Sequence, residues 1–316
     1  MAREIDTKTN SGAGNVLQFR RPPSAHRAAS PGERPASPPE PAEREHGSGI
    51  RVIAVASGKG GVGKTNVVAN LALALQQEGQ RVVVLDADLG LANLDTLLGL
   101  EPRGTLREVL LGERSLGEIL TEGPGGIRVI PAASGFDDMT RLSPAQRLHL
   151  LEEIEILDGS FDVLLIDIGA GISSNVTFFT SAARETMVVV TPEPTSLADA
   201  YALMKVLSAR HGEQEFSVLV NMARNDGEAR RTFAHLSRVV TRFLGVSLKR
   251  AGTIPWDGDL PAAVRRQQCV RELAPGAPSS RAFGDLARRV AAGEFLAARK
   301  GGLQFFFRQL IGEGVE

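Results

Sequence analysis

The sequence predicts an α/β fold: a doubly wound, mostly parallel sheet with helices on both faces. Short apolar runs alternate along the 316 residues with longer segments of helical composition, as in chains that form parallel sheets. The composition agrees, because 42% of the residues are hydrophobic and 5% are aromatic, and abundant Ala, Leu and Val suit a sheet covered by helices. A glycine-rich turn at residues 57–66 joins the first apolar run to the first helical segment.

The elements follow from the pattern in chain order. Ser143 and Pro144 begin a helix as N-cap and N1 residues, and Thr195 or Ser196 caps another. Further helical segments are predicted at 67–75, 105–111, 227–243 and 258–298. The short apolar runs predict buried strands at 52–56, 81–85, 127–131, 161–167, 186–190, 216–220 and 247–254.

The glycine-rich turn has the spacing G-x-x-x-x-G-K-T from Gly58 to Thr65, which is typical of a phosphate-binding loop. Its glycines let the backbone close round an anion, and the N-terminus of the following helix supplies positive N–H groups. Lys64 is expected to reach the β- and γ-phosphates, and the Thr65 hydroxyl to bind Mg²⁺. The predicted nucleotide contacts in the loop are Gly58, Lys59, Gly60, Gly61, Val62, Gly63, Lys64, Thr65 and Asn66.

Carboxylates follow two of the predicted strands, at the edge of an open α/β sheet where ligands bind. Asp86 and Asp88 come after the strand at 81–85, and Asp167 ends the strand at 161–167. Asp86 is predicted to hold Mg²⁺ through water, and Asp88 to orient or deprotonate the attacking water. Asp167 has the position of a Walker B acid and is predicted to bind the Mg²⁺ shell, so the predicted metal set is Thr65, Asp86 and Asp167.

The loop K-G-G-V-G-K-T resembles the deviant Walker A loop of the MinD/ParA ATPases. Segments 86–95, 131–135, 167–172 and 191–196 carry the same resemblance, which runs from about Ile50 to the C-terminus and is strongest to the MinD-like regulators of flagellar number, the FlhG/FleN branch. It implies an ATP-dependent homodimer in which Lys59 crosses the interface to the partner's nucleotide. Lys59, Lys64 and Asp88 are therefore the predicted catalytic residues.

The same resemblance predicts how the base is bound. Asn221, which follows the strand at 216–220, is expected to read the adenine edge, since an amide offers both a donor and an acceptor. The loop that begins at Pro255 is expected to close over the adenine ring. ATP and Mg²⁺ are the predicted ligands of the whole site.

The two ends of the chain differ from the middle, which we expect to form the ATPase domain at 50–299. Residues 1–49 contain seven prolines and few large apolar side chains, which predicts a disordered arm; its apolar and basic cluster at 15–21 is either a docking motif or a chance cluster. Residues 300–316 predict an amphipathic membrane-targeting tail, because one arc of a helix would carry its apolar side chains; the alternative is a tail packed on the core. The arc consists of Leu303, Phe306, Phe307, Leu310 and Ile311.

The net charge and the cysteine content exclude some classes of partner and site. A net charge of −1 argues against nucleic acid as a general partner, and Cys269 as the single cysteine excludes an internal disulfide or a Cys-x-x-Cys site. We expect a cytoplasmic protein that binds the inner face of the cytoplasmic membrane when it holds ATP, with no signal peptide and no membrane-spanning segment.

The predicted function is a slow, partner-stimulated ATPase switch that sets the number or placement of flagella. The resemblance implies a flagellar signal-recognition-type GTPase and a flagellar transcription regulator as partners, although the activation motif that begins Asp-Gln-Ala is missing from the arm. The alternatives are division-site placement, DNA partition and an ATP-binding adaptor with little turnover.

Overall fold

The computed structural model describes residues 50–88, 93–132, 143–157 and 159–295. Within these ranges eight strands form one sheet in the order β3-β4-β2-β5-β1-β6-β7-β8. Every neighbouring pair is parallel except β3 with β4, so the predicted fold class is confirmed. The strands are β1 (Arg51–Ser57), β2 (Val82–Ala87), β3 (Thr121–Glu122), β4 (Arg128–Ile130), β5 (Val163–Ala170), β6 (Glu185–Val190), β7 (Glu215–Ala223) and β8 (Ser247–Pro255).

Helices cover both faces of the sheet, as the doubly wound fold requires. On one face lie α1 (Lys64–Gln77), α2 (Leu94–Leu98), α9 (Asp259–Arg265), α10 (Val270–Leu273) and α11 (Pro278–Ala291). On the other face lie α3 (Leu106–Leu110), α4 (Leu116–Ile119), α5 (Pro144–Leu157), α6 (Ser174–Ala182), α7 (Pro194–His211) and α8 (Asp226–Leu244).

The central strands are buried on both sides because successive side chains point to opposite faces. In β1, Val52 and Ala54 enter the core under α3 to α8, whereas Ile53 and Val55 enter the core under α1 and α11. This explains why the strands are continuous apolar runs in the sequence. Among the described residues, each helix is too short or too polar to span a bilayer.

Parallel strands bring their carboxyl ends to one edge of the sheet and their amino ends to the other. The loops after β1, β2, β5, β6 and β7 therefore meet at the carboxyl edge. The helices that follow return to the amino edge, and a hydrogen bond from the Arg51 guanidinium, at the start of β1, to the carbonyl of Val290 places the end of α11 there.

Strand β8 forms one border of the sheet. Its pairing with β7 shifts between Arg250 and Gly252, which leaves Ala251 as an extra residue. The Arg289 guanidinium, from α11, donates to the carbonyls of Ala251 (2.5 Å) and Arg250 (3.2 Å). Two backbone acceptors at this border are thus already bound.

The predicted helix at 258–298 is wrong in one respect, since the described part of that segment divides into α9, α10 and α11. Gln267 has a left-handed backbone, with φ 54°, and Pro275 and Gly276 follow α10, so neither junction continues a helix. The predicted arm at 1–49 and tail at 300–316 lie outside the described residues, and both stay predictions.

The predicted cap of α7 is also wrong. The helix begins at Pro194 and Glu193 is its N-cap, so Thr195 and Ser196 lie in its first turn. The Ser196 hydroxyl accepts instead from the backbone N–H of Thr191 at 3.0 Å, which ties the first turn of α7 to the end of β6.

Candidate nucleotide-binding site

The glycine-rich loop connects β1 to α1, as predicted. Gly61 and Gly63 both have left-handed backbones, with φ 80° and 84°, and Gly63 is the N-cap of α1. A Cβ atom on Gly63 would lie 2.5 Å from the side-chain nitrogen of Asn221, so glycine is required there for space as well as for φ. That Asn221 nitrogen donates to the carbonyl of Val62 at 2.8 Å.

Asn221 therefore has a structural contact that its predicted role did not include. Its side chain is buried and supports the loop from β7. Recognition of the adenine edge by Asn221 stays a prediction.

Helix α7 lies directly against the first glycine of the loop. A Cβ on Gly58 would come within 2.2 Å of the backbone carbonyl of Asp199. The absence of a side chain at this position is what allows the helix to approach, and it couples the loop to α7. Gly60, in contrast, faces open space, with nothing within 4 Å of the corresponding Cβ position.

Lys59 is bound within its own subunit in this structure. Its ammonium donates to the Glu193 carboxylate at 2.9 Å and to the Thr195 hydroxyl at 3.0 Å. Both partners lie at the start of α7, and the lysine side chain is 38% exposed. An exposed pair of this kind is weak, so the lysine can be released with little loss of free energy.

Lys64 and Asp167 form a buried ion pair at the base of the loop. The Lys64 nitrogen lies 2.6 Å from a carboxylate oxygen of Asp167, and the Thr65 hydroxyl also bonds that carboxylate. Burial raises the pKa of Asp167, and the neighbouring Lys64 charge opposes that rise. The loop lysine predicted to bind phosphate is thus paired with the predicted Walker B acid.

Asp86 lies beside Asp167, because the two are paired across β2 and β5. The carboxylate of Asp86 accepts from the backbone N–H groups of Asp88 (3.0 Å) and Leu94 (3.3 Å). Burial, and then the negative charge of Asp167, raises the pKa of Asp86 to about 7. Such a carboxyl is poised between its two protonation states, and a cation would favour the charged one.

Asp88 brings the segment after β2 against the segment after β5. Its carboxylate oxygen would lie 3.4 Å from a Cβ on Gly169, so it touches the glycine that follows Asp167 and Ile168. The charge of Asp88 also raises the pKa values of Asp86 and Asp167. The three predicted acids therefore form one cluster, with Lys64 as its paired cation.

This donor set fits Mg²⁺. The ion takes oxygen ligands and commonly uses one or two carboxylates together with phosphate oxygens and waters. Asp86, Asp167 and the Thr65 hydroxyl provide such oxygens at one point of the carboxyl edge. Within the described residues no group of three or more His, Cys, Asp or Glu side chains is arranged to hold a metal ion.

An open cavity of about 670 Å³ lies at the carboxyl edge, beyond the loop. Trp256, which is 64% exposed, and Met222 are the residues directly after Pro255 and Asn221. Trp256 belongs to the loop that was predicted to close over the adenine ring, whereas Met222, which lies within β7, was not predicted. Thr191 is buried there, and its hydroxyl has no hydrogen-bond partner among the described residues. The cavity is lined by Thr191, Pro192, Glu193, Met222, Arg224, Glu228 and Trp256.

The fold and this edge define a P-loop nucleotide-binding protein, and comparisons with known proteins agree. A family model described as the CobQ/CobB/MinD/ParA nucleotide binding domain matches residues 53–270. The chain is 48% identical over 262 residues to the antiactivator FleN of Pseudomonas aeruginosa, which covers 83% of this chain and 94% of FleN. It is 35% identical to the flagellum site-determining protein YlxH of Helicobacter pylori, over 83% of this chain and 90% of YlxH.

Solved structures of MinD proteins also match this chain. The MinC:MinD cell division complex of Aquifex aeolicus matches with a TM-score of 0.64 and 30% identity, over 80% of this chain and 100% of that one. MinD of Pyrococcus horikoshii, complexed with Mg-ADP, matches with a TM-score of 0.60 and 26% identity, over 79% and 100%. The chain therefore belongs to the CobQ/CobB/MinD/ParA family, as one of its MinD/ParA-type ATPases, and the predicted resemblance to the FlhG/FleN branch is confirmed.

Proposed function

We propose that this protein is an ATP-dependent dimerisation and membrane-binding switch that controls the number or placement of flagella. The observation that carries the proposal is the similarity to FleN along 94% of that protein, together with the similarity to a flagellum site-determining protein. The acid cluster and the loop supply the chemistry of the switch.

In this proposal, the loop N–H groups and Lys64 bind the phosphates of ATP. Lys64 exchanges the Asp167 carboxylate for phosphate oxygens, which leaves Asp167 available to a metal ion together with Asp86 and Thr65. When bound, Mg²⁺ neutralises phosphate charge and fixes the orientation of the terminal phosphate. The buried Lys64–Asp167 pair keeps both groups in place before nucleotide arrives.

Asp88 serves the attacking water. Its carboxylate orients the water and accepts a proton from it, and its contact with Gly169 links this task to the segment after β5. Phosphoryl transfer depends on positioning and charge, so a small displacement of Asp88 suffices to make turnover slow. A partner protein that fixes the two segments would then stimulate hydrolysis.

Lys59 links nucleotide binding to dimerisation. It leaves Glu193 and Thr195 and reaches the nucleotide of the partner subunit when two copies meet at their carboxyl edges. The ion pair that it gives up is exposed and contributes at most about 1 kcal/mol. The phosphate charge across the interface offers a stronger contact.

Membrane binding follows from dimerisation. A single short apolar tail binds a bilayer only marginally, whereas two tails on one dimer act together and raise the apparent affinity by about 10²–10⁴-fold. The dimer therefore lies on the inner face of the cytoplasmic membrane, through Leu303, Phe306, Phe307, Leu310 and Ile311, and hydrolysis returns it to the cytoplasm. A flagellar signal-recognition-type GTPase and a flagellar transcription regulator are the proposed protein partners.

Division-site placement is the second candidate, because MinD structures match the fold. Loss of the gene separates the two: extra or misplaced flagella with normal division support the flagellar role. Minicells with normal flagella support the other. DNA retention without vesicle binding would instead favour a partition ATPase, and ATP binding without turnover would favour an adaptor.

The switch is tested by sedimentation with ATP, ADP or no nucleotide, in the presence of Mg²⁺. We expect the wild type to dimerise with ATP, but not with ADP or without nucleotide. The Asp88→Ala variant should form an ATP dimer that persists, since the Asp88 carboxylate serves the attacking water and not the binding of nucleotide. The chain has one tryptophan, and Trp256 lies in the cavity, so its fluorescence reports nucleotide binding in every variant. A monomeric Asp88→Ala variant, or one that hydrolyses ATP at the normal rate, contradicts the assignment.

The tail is tested by vesicle co-sedimentation of the wild type and a Phe306→Glu, Phe307→Glu variant. The wild type should pellet with ATP and not with ADP. The variant should stay in solution while its Trp256 response to ATP is unchanged. Equal pelleting of the wild type in both nucleotides rules out the dimer-dependent mechanism, and pelleting of the variant rules out the tail as the anchor.

A further inference from the structure

The outer face of α8 carries a row of basic side chains. From Ala229 to Arg250 the sequence contains six Lys or Arg residues and one His, but no Asp or Glu. The helix turns its small and aliphatic residues inward, with Ala229, Leu236 and Val240 buried. Four exposed basic residues spaced by four, three and four positions lie on the opposite side, and we call them the basic stripe: Arg231, His235, Arg238 and Arg242.

The arginines of the stripe differ from the basic residues beside them in their ion pairs. Arg230 and Arg250 share the carboxylate of Asp226, and Lys249 pairs with Glu215, so the three basic residues beside the stripe are bound to two carboxylates and keep one net positive charge. Within the part of the chain that the structure describes, Arg231, Arg238 and Arg242 have no carboxylate within ion-pair distance.

The neighbouring helix strengthens this charge. α7 packs beside α8 and exposes Lys205 and Arg210 toward the amino edge of the sheet. Its one acidic residue, Asp199, lies near the other end, against the loop. The region is therefore positive although the net charge of the chain is −1.

An exposed aromatic side chain ends the stripe. Phe243 is 63% exposed in the last turn of α8, and the Arg242 guanidinium lies over its ring, 5.3 Å from the centroid. α8 ends at the amino edge of the sheet, where α11 also ends and the chain continues toward the tail. An aromatic ring beside a guanidinium suits the boundary between lipid headgroups and acyl chains.

We propose that the basic stripe and Phe243 bind the surface of an anionic lipid bilayer, as a second contact in addition to the tail. This inference rests on the proposed membrane switch and deepens it, because it assigns the lipid class. The arginines stand in one row on a convex helix, which a flat surface of negative headgroups can contact at several points. Phosphates of nucleic acid would also attract the arginines, but they give no role to Phe243.

The strength of such a contact follows from charge. Each Lys or Arg held close to an anionic leaflet contributes about 1 kcal/mol, or roughly five-fold in affinity. Replacing three arginines should therefore weaken binding by about 100-fold. The effect should decline steeply with salt, since the screening length is about 8 Å at physiological ionic strength.

The test compares the full chain with two triple variants, in ATP and Mg²⁺. The stripe variant is Arg231→Gln, Arg238→Gln, Arg242→Gln, which keeps good helix formers on an exposed face. The control variant, Arg103→Gln, Arg107→Gln, Arg114→Gln, removes the same charge from exposed positions near the other border of the sheet. Vesicles contain phosphatidylcholine alone or mixed with phosphatidylglycerol.

We expect the stripe variant to lose about 100-fold in affinity for the anionic vesicles, and the control variant to bind them like the wild type. Both should dimerise with ATP and show the normal Trp256 response. Wild-type affinity in the stripe variant overturns the proposal. The proposal is also overturned if the wild type binds duplex DNA and the stripe variant loses that DNA binding while its vesicle binding is unchanged.

The outcomes separate this inference from the switch itself. A wild type that pellets with and without ATP, and a stripe variant that does not pellet, would contradict the switch and support the stripe. A wild type that needs ATP, and a stripe variant that binds equally well, would support the switch and overturn the stripe. A wild type that binds neither kind of vesicle in any nucleotide state overturns both.

Discussion

The Lys64–Asp167 pair predicts an unequal response to substitution. Its atoms lie 2.6 Å apart, and both side chains are almost fully buried. Lys64→Ala should abolish ATP binding and also lower the free energy of unfolding by about 3–5 kcal/mol, because it leaves a buried carboxylate without its partner. Urea unfolding and Trp256 fluorescence measure the two effects separately.

The control for that prediction is the double variant Lys64→Ala, Asp167→Asn. A neutral amide removes the unpaired charge, so most of the stability should return. ATP binding should not return, because Lys64, the predicted phosphate-binding cation, is still missing. Wild-type ATP affinity in either variant would show that Lys64 does not bind phosphate.

Asp86 predicts a pH dependence of the nucleotide-free protein. Its pKa rises from 3.8 in the unfolded chain to about 7 in the fold, so between these values the native state holds a proton that the unfolded state has lost. The contribution of this group to stability is complete below about pH 4 and is lost as the pH rises toward 7, by up to about 1.4 kcal/mol per pH unit. Urea unfolding across this range, compared with Asp86→Asn, isolates the effect. A dependence that persists unchanged in the Asn variant would exclude Asp86 as its source.

The sequence predicted the meeting of the three acids better than the lining of the cavity. Asp86, Asp88 and Asp167 lie near or just beyond the carboxyl ends of two strands, and parallel strands bring such positions to one edge. Met222 and Thr191 were not predicted as site residues, because the exposure of the first and the missing hydrogen-bond partner of the second depend on neighbouring loops. The contact of Asn221 with Val62 depends on how closely β7 approaches the loop, and spacing in the sequence does not encode that distance.

Among the elements, α7 packs directly against the first glycine of the loop. Gly58→Ala would place a methyl group 2.2 Å from the carbonyl of Asp199, and backbone on both sides resists movement. We expect a loss of about 1–3 kcal/mol in the free energy of unfolding and weaker ATP binding, because the loop or α7 must shift.

Gly60→Ala is the matched control for stability. Its Cβ would meet nothing within 4 Å, so the free energy of unfolding should change by less than about 0.5 kcal/mol. Denaturant unfolding of both variants decides the point. Equal destabilisation would mean that loop flexibility, and not the approach of α7, determines the effect.

Prediction of the elements succeeded where the hydrophobic pattern was long and failed where breaks were local. All seven predicted strands have counterparts, but β3 is two residues long and too short to show a pattern. The break at Gln267 was missed because glutamine rarely takes a left-handed backbone. α6 was not predicted, although Ser173 caps it by accepting from the N–H of Val176.

For the whole molecule, the contact between Lys59 and Glu193 predicts that loss of the Glu193 charge strengthens dimerisation modestly. Glu193→Gln removes the charge that holds the lysine in its own subunit. Since the pair is exposed and contributes at most about 1 kcal/mol, the ATP-dependent dimerisation constant should rise by no more than about five-fold. Sedimentation across a concentration series measures it. Glu215→Gln, which removes an exposed carboxylate beside Lys249 at the amino edge, is the control and should leave dimerisation unchanged.

The fold as a whole was predictable because composition, strand spacing and the loop all indicate the same architecture. The ATPase core from Ile50 onward agrees with that expectation. The arm at 1–49 and the tail at 300–316 were assigned from composition and from one apolar arc. The arm and the tail were assigned to contacts with other surfaces, a partner protein and a bilayer. The pattern that determines the core carries no information about such contacts.

The contact of Arg289 with the border strand β8 bears on self-association at high protein concentration. An unpaired edge strand can form hydrogen bonds with the edge strand of another copy, and repeated pairing of this kind produces open-ended polymers. Here the extra residue at Ala251 bends the border, and the guanidinium occupies the carbonyls of Arg250 and Ala251. These two carbonyls are therefore not available to a second molecule. Growth of the sheet at this border is thereby disfavoured, and the proposed ATP-dependent dimer uses the carboxyl edge instead.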